Sequence, residues 1–245
     1  MDNLSARQTR ILKTIIDEYI QTASPVASLS LERKYNLGVS PATIRNEMVA
    51  LTGLGFLKQP HTSSGRVPTP KAMKFYINQL MEERSLSLTE EVRAKENVWD
   101  FRNNFDELMA ETTRSLAQKV GALGVSATEG GSAWFYGHSN LFDSPEFFDF
   151  QVCKSLFSAL EEKPRLQELL FERLPGLSSI EVLFGEELEW DFFDSIGIVA
   201  SHFEVGNAKG VIGVIGPFRL NYPAIIPTVR YFSNLIEEIG GVKNV

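Results

Sequence analysis

The sequence contains a single cysteine, Cys153, among its 245 residues. One thiol cannot form an intrachain disulfide or supply a thiolate metal cluster. No stretch approaches the roughly 20 consecutive apolar residues of a membrane-spanning helix. The N-terminus is polar from Asp2 onward and lacks the apolar run of a signal peptide. These absences predict a protein of the reducing cytoplasm that has no membrane partner.

Catalytic and metal-binding patterns are also missing. His61, His138 and His202 lie far apart without metal-ligand spacing, and the acidic cluster over 186–194 is typical of a solvated loop. The glycine-rich run over 210–217 lacks the Lys-Ser/Thr pair of a phosphate-binding loop. No Ser/His/Asp or Cys/His set stands in a persuasive context. We therefore predict a protein that is not an enzyme, with no catalytic residues, no metal and no cofactor.

Net charge is unevenly distributed along the chain. The whole chain carries −7, but residues 1–81 hold ten Lys and Arg against five Asp and Glu, a net charge of +5. The remaining residues therefore carry −12. Such asymmetry predicts that only the first part of the chain meets a polyanion.

Three helices followed by a hairpin are predicted near the N-terminus. Ser5 and Gln8 form a capping box at the start of a helix that ends near Thr22. A shorter helix is expected over 27–35. A third is expected over 40–54, where a serine caps the helix and a proline takes its first position. Short strands over 56–59 and 66–69 then enclose a polar loop, which completes the order of a winged helix-turn-helix within residues 1–84.

This arrangement predicts which side chains meet DNA. The helical spacing predicts that Ile44, Met48 and Leu51 of the third helix face the core and that Thr43 and Asn46 are turned outward. The start of this helix would enter the major groove, where Asn46 can bond adenine and Arg45 can bond either guanine or a phosphate. Arg66, beside the wing loop, can reach a phosphate or a narrow minor groove. The predicted DNA-binding residues are Ser40, Pro41, Ala42, Thr43, Arg45, Asn46, His61, Thr62, Ser63, Ser64, Gly65 and Arg66.

Residues 85–245 are predicted to form a second, α+β domain. A linker over 85–88 leads into one long helix over 89–120, and short strands mixed with helices follow. Trp99, Phe101 and Phe105 are large apolar residues on this otherwise charged helix. We place a homodimer interface on them or on the helix expected over 222–239, with packing of the three aromatic residues inside their own subunit as the alternative.

Several segments resemble HrcA, the heat-inducible transcription repressor family of bacteria. The resemblance covers most of the chain, and the runs over 39–48 and 59–69 are the most specific. The matching segments are Leu4–Gln8, Val39–Met48, Gln59–Thr69, Asn140–Phe142, Pro145–Phe147 and Ile212–Pro217.

The resemblance implies a repressor that binds, as a dimer, an inverted-repeat operator upstream of groE and dnaK operons. It also implies a GAF-like C-terminal domain and a GroEL chaperonin partner, whose diversion by heat relieves repression. HrcA chains usually carry a dimerisation domain inserted into the GAF-like domain. Here Gly130 and Gly131 run almost directly into the strand expected over 133–136, so the insert is predicted to be missing or reduced to a turn.

Three alternatives remain open from the sequence. The protein could be a ligand-gated transcription factor whose GAF-like pocket holds a metabolite. It could be an enzyme with a DNA-reading appendage, although no catalytic set supports this. It could also be a protein-interaction module that has lost DNA binding, since three-helix folds with wings serve in that role as well.

Overall fold

The computed structural model describes residues 4–62 and 64–241. Helices and antiparallel sheets are mixed, which confirms the α+β prediction. The chain divides into two compact units, the first ending at Glu82 and the second beginning at Glu83. Ser63, one of the predicted DNA-binding residues, lies outside the described residues.

The first unit opens with helix α1, Ala6–Thr22. The predicted capping box is present: Ser5 Oγ accepts from the Gln8 amide at 3.2 Å, and Gln8 Oε1 accepts from the Ser5 amide at 3.0 Å. An apolar stripe of this helix is fully buried, and each such side chain contributes about 1.5–3 kcal/mol on burial. The stripe consists of Ile11, Leu12, Ile15 and Ile16.

The rest of the first unit follows the predicted order of helix, turn, helix and hairpin. Its elements are α2 Ser28–Lys34, α3 Pro41–Gly53, β1 Leu57–Lys58, β2 Val67–Pro68, α4 Pro70–Phe75 and a π-helical turn Tyr76–Leu80. The strands are antiparallel, with Leu57 opposite Pro68 and Lys58 opposite Val67. A contact that the sequence did not reveal is an antiparallel bridge between Val26 and Arg66, which adds a third extended segment to this small sheet.

The second unit places helices on both faces of one sheet. Its longer elements are α5 Leu88–Trp99, α6 Phe105–Val120, β3 Leu123–Thr128, β4 Ala133–Tyr136, α7 Phe150–Glu161, α8 Lys163–Gln167, β5 Glu181–Phe184, β6 Ile196–Val205, β7 Ala208–Pro217 and α9 Tyr222–Gly240. Short 3₁₀ helices span His138–Asp143, Pro145–Phe148 and Gly185–Glu187, and a π-helical turn spans Glu168–Glu172.

The five strands lie in the order β4-β3-β7-β6-β5, all antiparallel. Alternate residues of each strand face opposite sides, as the pleat requires. On β3, Val125 joins an apolar cluster with Leu156 of α7, while the Ser126 hydroxyl meets that of Thr113 on α6 at 2.5 Å. Residues 129–132 connect β3 to β4 directly.

Helix α9 contains Pro227 in its interior. Proline lacks the N–H that would bond the carbonyl four residues earlier, which here belongs to Pro223. The amide of Arg84 bonds the Pro223 carbonyl instead, at 2.7 Å. Beside it, the Arg230 guanidinium forms two hydrogen bonds to the Glu83 carboxylate, at 2.7 and 2.9 Å.

The prediction of one continuous helix over 89–120 is wrong. Helix α5 ends at Trp99, and α6 begins only at Phe105. Asn104 caps α6, because its side-chain oxygen accepts from the amides of Asp106 and Glu107 at 3.1 and 3.4 Å. Asparagine competes with helical hydrogen bonding in this way, which is why it favours caps over helix interiors.

Candidate nucleic-acid interface

The start of α3 is built by its capping serine. Ser40 Oγ accepts from the Thr43 amide at 3.2 Å, and the two hydroxyls lie 3.0 Å apart. Pro41 occupies the first turn, where its missing N–H costs nothing. The Ser40 and Thr43 hydroxyls therefore already bond each other, and Thr43 is half-buried rather than fully turned outward as predicted.

The two faces of α3 are sharply different. Ile44, Met48 and Leu51 are buried, as predicted from their helical spacing. Arg45 and Asn46 are exposed, as is Ala42. The helix thus offers an amide, a guanidinium and a methyl group to solvent near its N-terminus, which are groups that can recognise base edges and phosphates.

An ion pair fixes α3 against α1. Arg7 Nε lies 2.7 Å from Glu47 Oε1, and the Glu47 side chain is 13% exposed. Sequence reasoning missed this pair, because 40 residues separate its members. It adds a side-chain contact between α1 and α3 to the apolar packing of the unit.

The wing loop is closed by its own side chains. Gln59 Nε2 donates to the carbonyls of Thr62 and Ser64 at 2.9 and 3.0 Å. Ser64 Oγ accepts from the His61 amide at 3.0 Å and donates to the His61 carbonyl at 2.7 Å. The Ser64 hydroxyl therefore shapes the loop, while the side chains of His61 and Thr62 are exposed.

Arg66 joins the wing to the rest of the unit. Its backbone exchanges two hydrogen bonds with Val26, at 2.8 and 2.9 Å. Its Nε donates to Thr52 Oγ1 at 3.2 Å, and that hydroxyl donates to the Met48 carbonyl at 2.8 Å. Thr52, which the sequence did not single out, thus connects the wing to α3. Next to it, a Cβ on Gly65 would lie 2.3 Å from the Val26 carbonyl oxygen, so only glycine fits there.

These elements enclose a cleft between α3 and the wing, which we call the wing cleft. Its volume is about 360 Å³. Its polar lining side chains belong to Ser28, Arg45, Gln59, Thr62, Ser64 and Arg66. None of the described residues that line it carries a carboxylate, so the wing cleft has a positive electrostatic character.

Glu18 on α1 binds the C-terminal end of α2. Its side chain is 8% exposed and accepts from Lys34 Nζ at 2.6 Å and from the Tyr35 hydroxyl at 2.8 Å. The hydrogen bond from Lys34 lowers the pKa of Glu18. Burial, together with the hydrogen bond to Glu18, raises the pKa of Tyr35 to about 12. The carboxylate and the neutral phenol are therefore both favoured near neutral pH.

The structure separates the three residues predicted to form a dimer interface. Trp99 is 38% exposed at the end of α5, with Lys95 Nζ and the Arg102 guanidinium 5.7 and 5.0 Å from its ring centre. Phe101 is half-buried in the turn that follows. Phe105 packs edge-to-face on Trp134 of the same unit, with ring centres 6.2 Å apart.

The described part of the chain has neither a metal-binding cluster nor a membrane-spanning helix. No group of three or more His, Cys, Asp and Glu side chains there is placed to hold a metal ion. No helix there is both long and apolar enough to cross a bilayer.

Comparison with known proteins matches both units. The family described as "Winged helix-turn-helix transcription repressor, HrcA DNA-binding" matches residues 3–90, and the one described as "HrcA protein C terminal domain" matches residues 63–226. Heat-inducible transcription repressor HrcA of Carboxydothermus hydrogenoformans is 28% identical, with 98% of this chain and 99% of that protein covered. The HrcA repressor of Geobacter sulfurreducens is 25% identical, with 98% and 99% covered.

A solved structure shares the fold. A crystal structure at 2.2 Å resolution of a protein titled "hypothetical" superposes with a TM-score of 0.75 at 17% identity, covering 98% of this chain and 99% of that one.

The alignment with the Carboxydothermus protein extends over 342 positions. Since this chain has 245 residues, at least 97 of those positions (342 minus 245) have no counterpart in it. The family matches together span nearly the whole chain, and they agree with the geometry of the first unit. The chain belongs to the HrcA family of heat-inducible transcription repressors, with a winged helix-turn-helix as its DNA-binding domain.

Proposed function

We propose that this protein represses heat-shock chaperone operons of the groE and dnaK type by binding an inverted-repeat operator as a dimer. The observation that carries the proposal is the exposed start of α3 beside a wing cleft whose described lining has arginines but no carboxylate. Family membership supports the chaperone targets. It also supports action in the cytoplasm, on the nucleoid.

The roles of individual residues follow from their exposure. Asn46 is the base-reading residue, because its exposed amide can bond adenine at two atoms, and the methyl group of Ala42 can contact a thymine methyl. The exposed His61 and Thr62 at the tip of the wing contact the sugar-phosphate backbone. Ser40, Pro41, Ser64 and Gly65 act by shaping the helix start and the wing.

The proposal is tested by fluorescence anisotropy at physiological salt, comparing an inverted-repeat duplex with a scrambled duplex of equal length. We expect tight binding to the repeat alone, at two chains per duplex. If this binding appears only after the GroEL chaperonin is added, the chaperonin is a required partner. Equal, weak binding to both duplexes with and without chaperonin would contradict the repressor function.

Replacing Asn46 by alanine should weaken binding to the repeat by about 1–3 kcal/mol, because a bidentate base contact is lost. Binding to the scrambled duplex should change little. Asn234→Ala, at an exposed position of α9, is the matched control and should leave both affinities unchanged. An equal loss on both duplexes would show that Asn46 does not read bases.

We place the dimer interface on one stripe of α5 rather than on all three residues first considered. Leu88, Val92 and Trp99 are 76%, 49% and 38% exposed, and their spacing of four and seven residues puts them on one side of the helix. Lys95 and Glu96 lie beside them. Lys95 Nζ already lies 2.5 Å from Glu238 Oε1 of its own chain, so the apolar stripe itself, paired with its copy across a two-fold axis, is the proposed contact.

The substitution Val92→Lys should convert dimers to single chains in light scattering, because dimerisation would have to remove the new ammonium group from water within the apolar stripe. Operator binding should weaken in parallel. Leu177→Lys, at a position 87% exposed elsewhere in the same unit, is the control and should leave the dimer intact. A wild-type protein that is monomeric at operator-binding concentrations would rule the interface out.

A further inference from the structure

We infer that Arg45 and Arg66 together hold a single phosphodiester of the DNA backbone in the wing cleft. The inference rests on the proposed DNA-binding function and decides between the two roles left open for Arg45. It assigns Arg45 to a phosphate of the DNA backbone and leaves the recognition of bases to Asn46 and Ala42 on the same helix.

Both guanidinium groups lack an internal anion. Within the described residues, the Arg45 side chain makes no hydrogen bond or ion pair, and the Arg66 side chain bonds another side chain only through its Nε, to Thr52. Two cations that share one concave surface repel each other, and water screens this repulsion less effectively in a cleft than on an open surface. A bound anion relieves the repulsion and accepts the remaining N–H donors.

Arg66 is oriented before any ligand arrives. Its backbone is fixed by the bridge to Val26, and its Nε by the Thr52 hydroxyl. The two Nη groups of Arg66 thus have a fixed position and can still donate hydrogen bonds. A planar guanidinium can bond two oxygens of one phosphate at once. Because less side-chain freedom is lost on binding, such a preset contact is stronger than one from a freely rotating side chain.

The position of Arg45 on α3 points to the same ligand. It lines the wing cleft together with Met48, one turn further along the helix, whereas Asn46 and Ala42 are not among the lining residues. The Arg45 side chain therefore faces the wing. A cleft of about 360 Å³ admits a phosphate group. On α3, Arg45 therefore binds the DNA backbone and Asn46 reads a base.

The test measures how the affinity of each bound chain depends on salt for the wild type, Arg45→Gln, Arg66→Gln and the double variant. One neutralised phosphate contributes about 0.9 to the slope of log K against log salt. If both arginines share one phosphate, each single variant should lower the slope by less than 0.9, and the double variant by about 0.9. Lys13→Gln, which removes a charge on α1 outside the wing cleft, should leave the slope unchanged.

Other outcomes overturn the inference. Losses of about 0.9 in each single variant and about 1.8 in the double variant mean two separate phosphates, and no loss in the double variant means no phosphate contact. Arg66→Lys keeps the charge and should keep the slope, which separates charge loss from misfolding. A thermal melt that is stabilised by inorganic phosphate, with no slope change on DNA, would indicate a free-anion site instead.

The slope can be measured on scrambled DNA as well as on the repeat, because phosphates are common to both. The arginine variants can therefore show the expected change in slope even if the protein does not prefer the repeat over the scrambled duplex. Conversely, the protein can prefer the repeat while the slopes stay unchanged, so the two tests give separate answers.

Discussion

Replacing Gly65 by alanine should remove most of the DNA affinity while leaving the second unit folded. The new Cβ would lie 2.3 Å from the Val26 carbonyl oxygen and 2.5 Å from its carbon, and both atoms belong to backbone that cannot rotate away. The bridge between Val26 and Arg66 must then open. This displaces the wing and the preset guanidinium together, so we expect a loss of at least tenfold, or about 1.4 kcal/mol.

The measurement is anisotropy with a scrambled and a repeat duplex, together with thermal unfolding followed by circular dichroism. Gly53→Ala is the matched control, because a Cβ at Gly53, at the end of α3, meets nothing within 4 Å. That control should bind as the wild type does and melt no lower. Wild-type affinity in Gly65→Ala would show that the wing can shift without consequence.

Gly213→Val should destabilise the second unit by about 3 kcal/mol, since overpacking of a closed core commonly costs 1–3 kcal/mol and sometimes more. Gly213 lies on β7 between β3 and β6, opposite Val125 and Ala200. A Cβ there would lie 2.3 Å from the Val199 carbonyl oxygen and 2.9 Å from Ala200. Neither neighbouring strand can retreat without breaking the sheet.

For a unit of this size, such a loss lowers the melting temperature by about 6–12 °C. Scanning calorimetry of the full chain measures this drop in melting temperature. Gly130→Ala serves as the control, because its Cβ would meet only Thr128 Oγ1 at an ordinary 3.7 Å. An unchanged melting temperature for Gly213→Val would mean that the sheet has room that the structure does not show.

Local features were predictable because they depend on residues close in sequence. The capping box of Ser5 and Gln8, the Ser40 cap and the buried stripe of α3 were all predicted and are confirmed. The break before α6 was missed, because apolar spacing continues across it and only the Asn104 cap marks it. Helix α2 is too short to bury both of its leucines: Leu31 is buried, and Leu29 is 48% exposed.

The sequence was sufficient to identify which residues belong to the candidate site, but not how their side chains are arranged. Sequence position alone identified Arg45 and Asn46, yet it could not tell which of them faces the wing. The lining of the wing cleft includes Arg45 but not Asn46. The wing that forms its other side is held by contacts of Arg66 with Thr52 and Val26, which lie 14 and 40 positions away in the sequence. Gln59 was also missed, because its role is to bond two loop carbonyls and no motif marks such a role.

The proline in α9 has a consequence for how this chain can be divided. An alanine at position 227 would take the Pro223 carbonyl back into the helix ladder and release the Arg84 amide that now occupies it. Because of Pro227, the Pro223 carbonyl stays available to accept the hydrogen bond from the Arg84 amide. The ion pair between Glu83 and Arg230 holds the same segment of chain on α9. An expression boundary for the C-terminal unit therefore belongs before Glu83, because a cut after Arg84 would leave a helix carbonyl and a guanidinium without their partners.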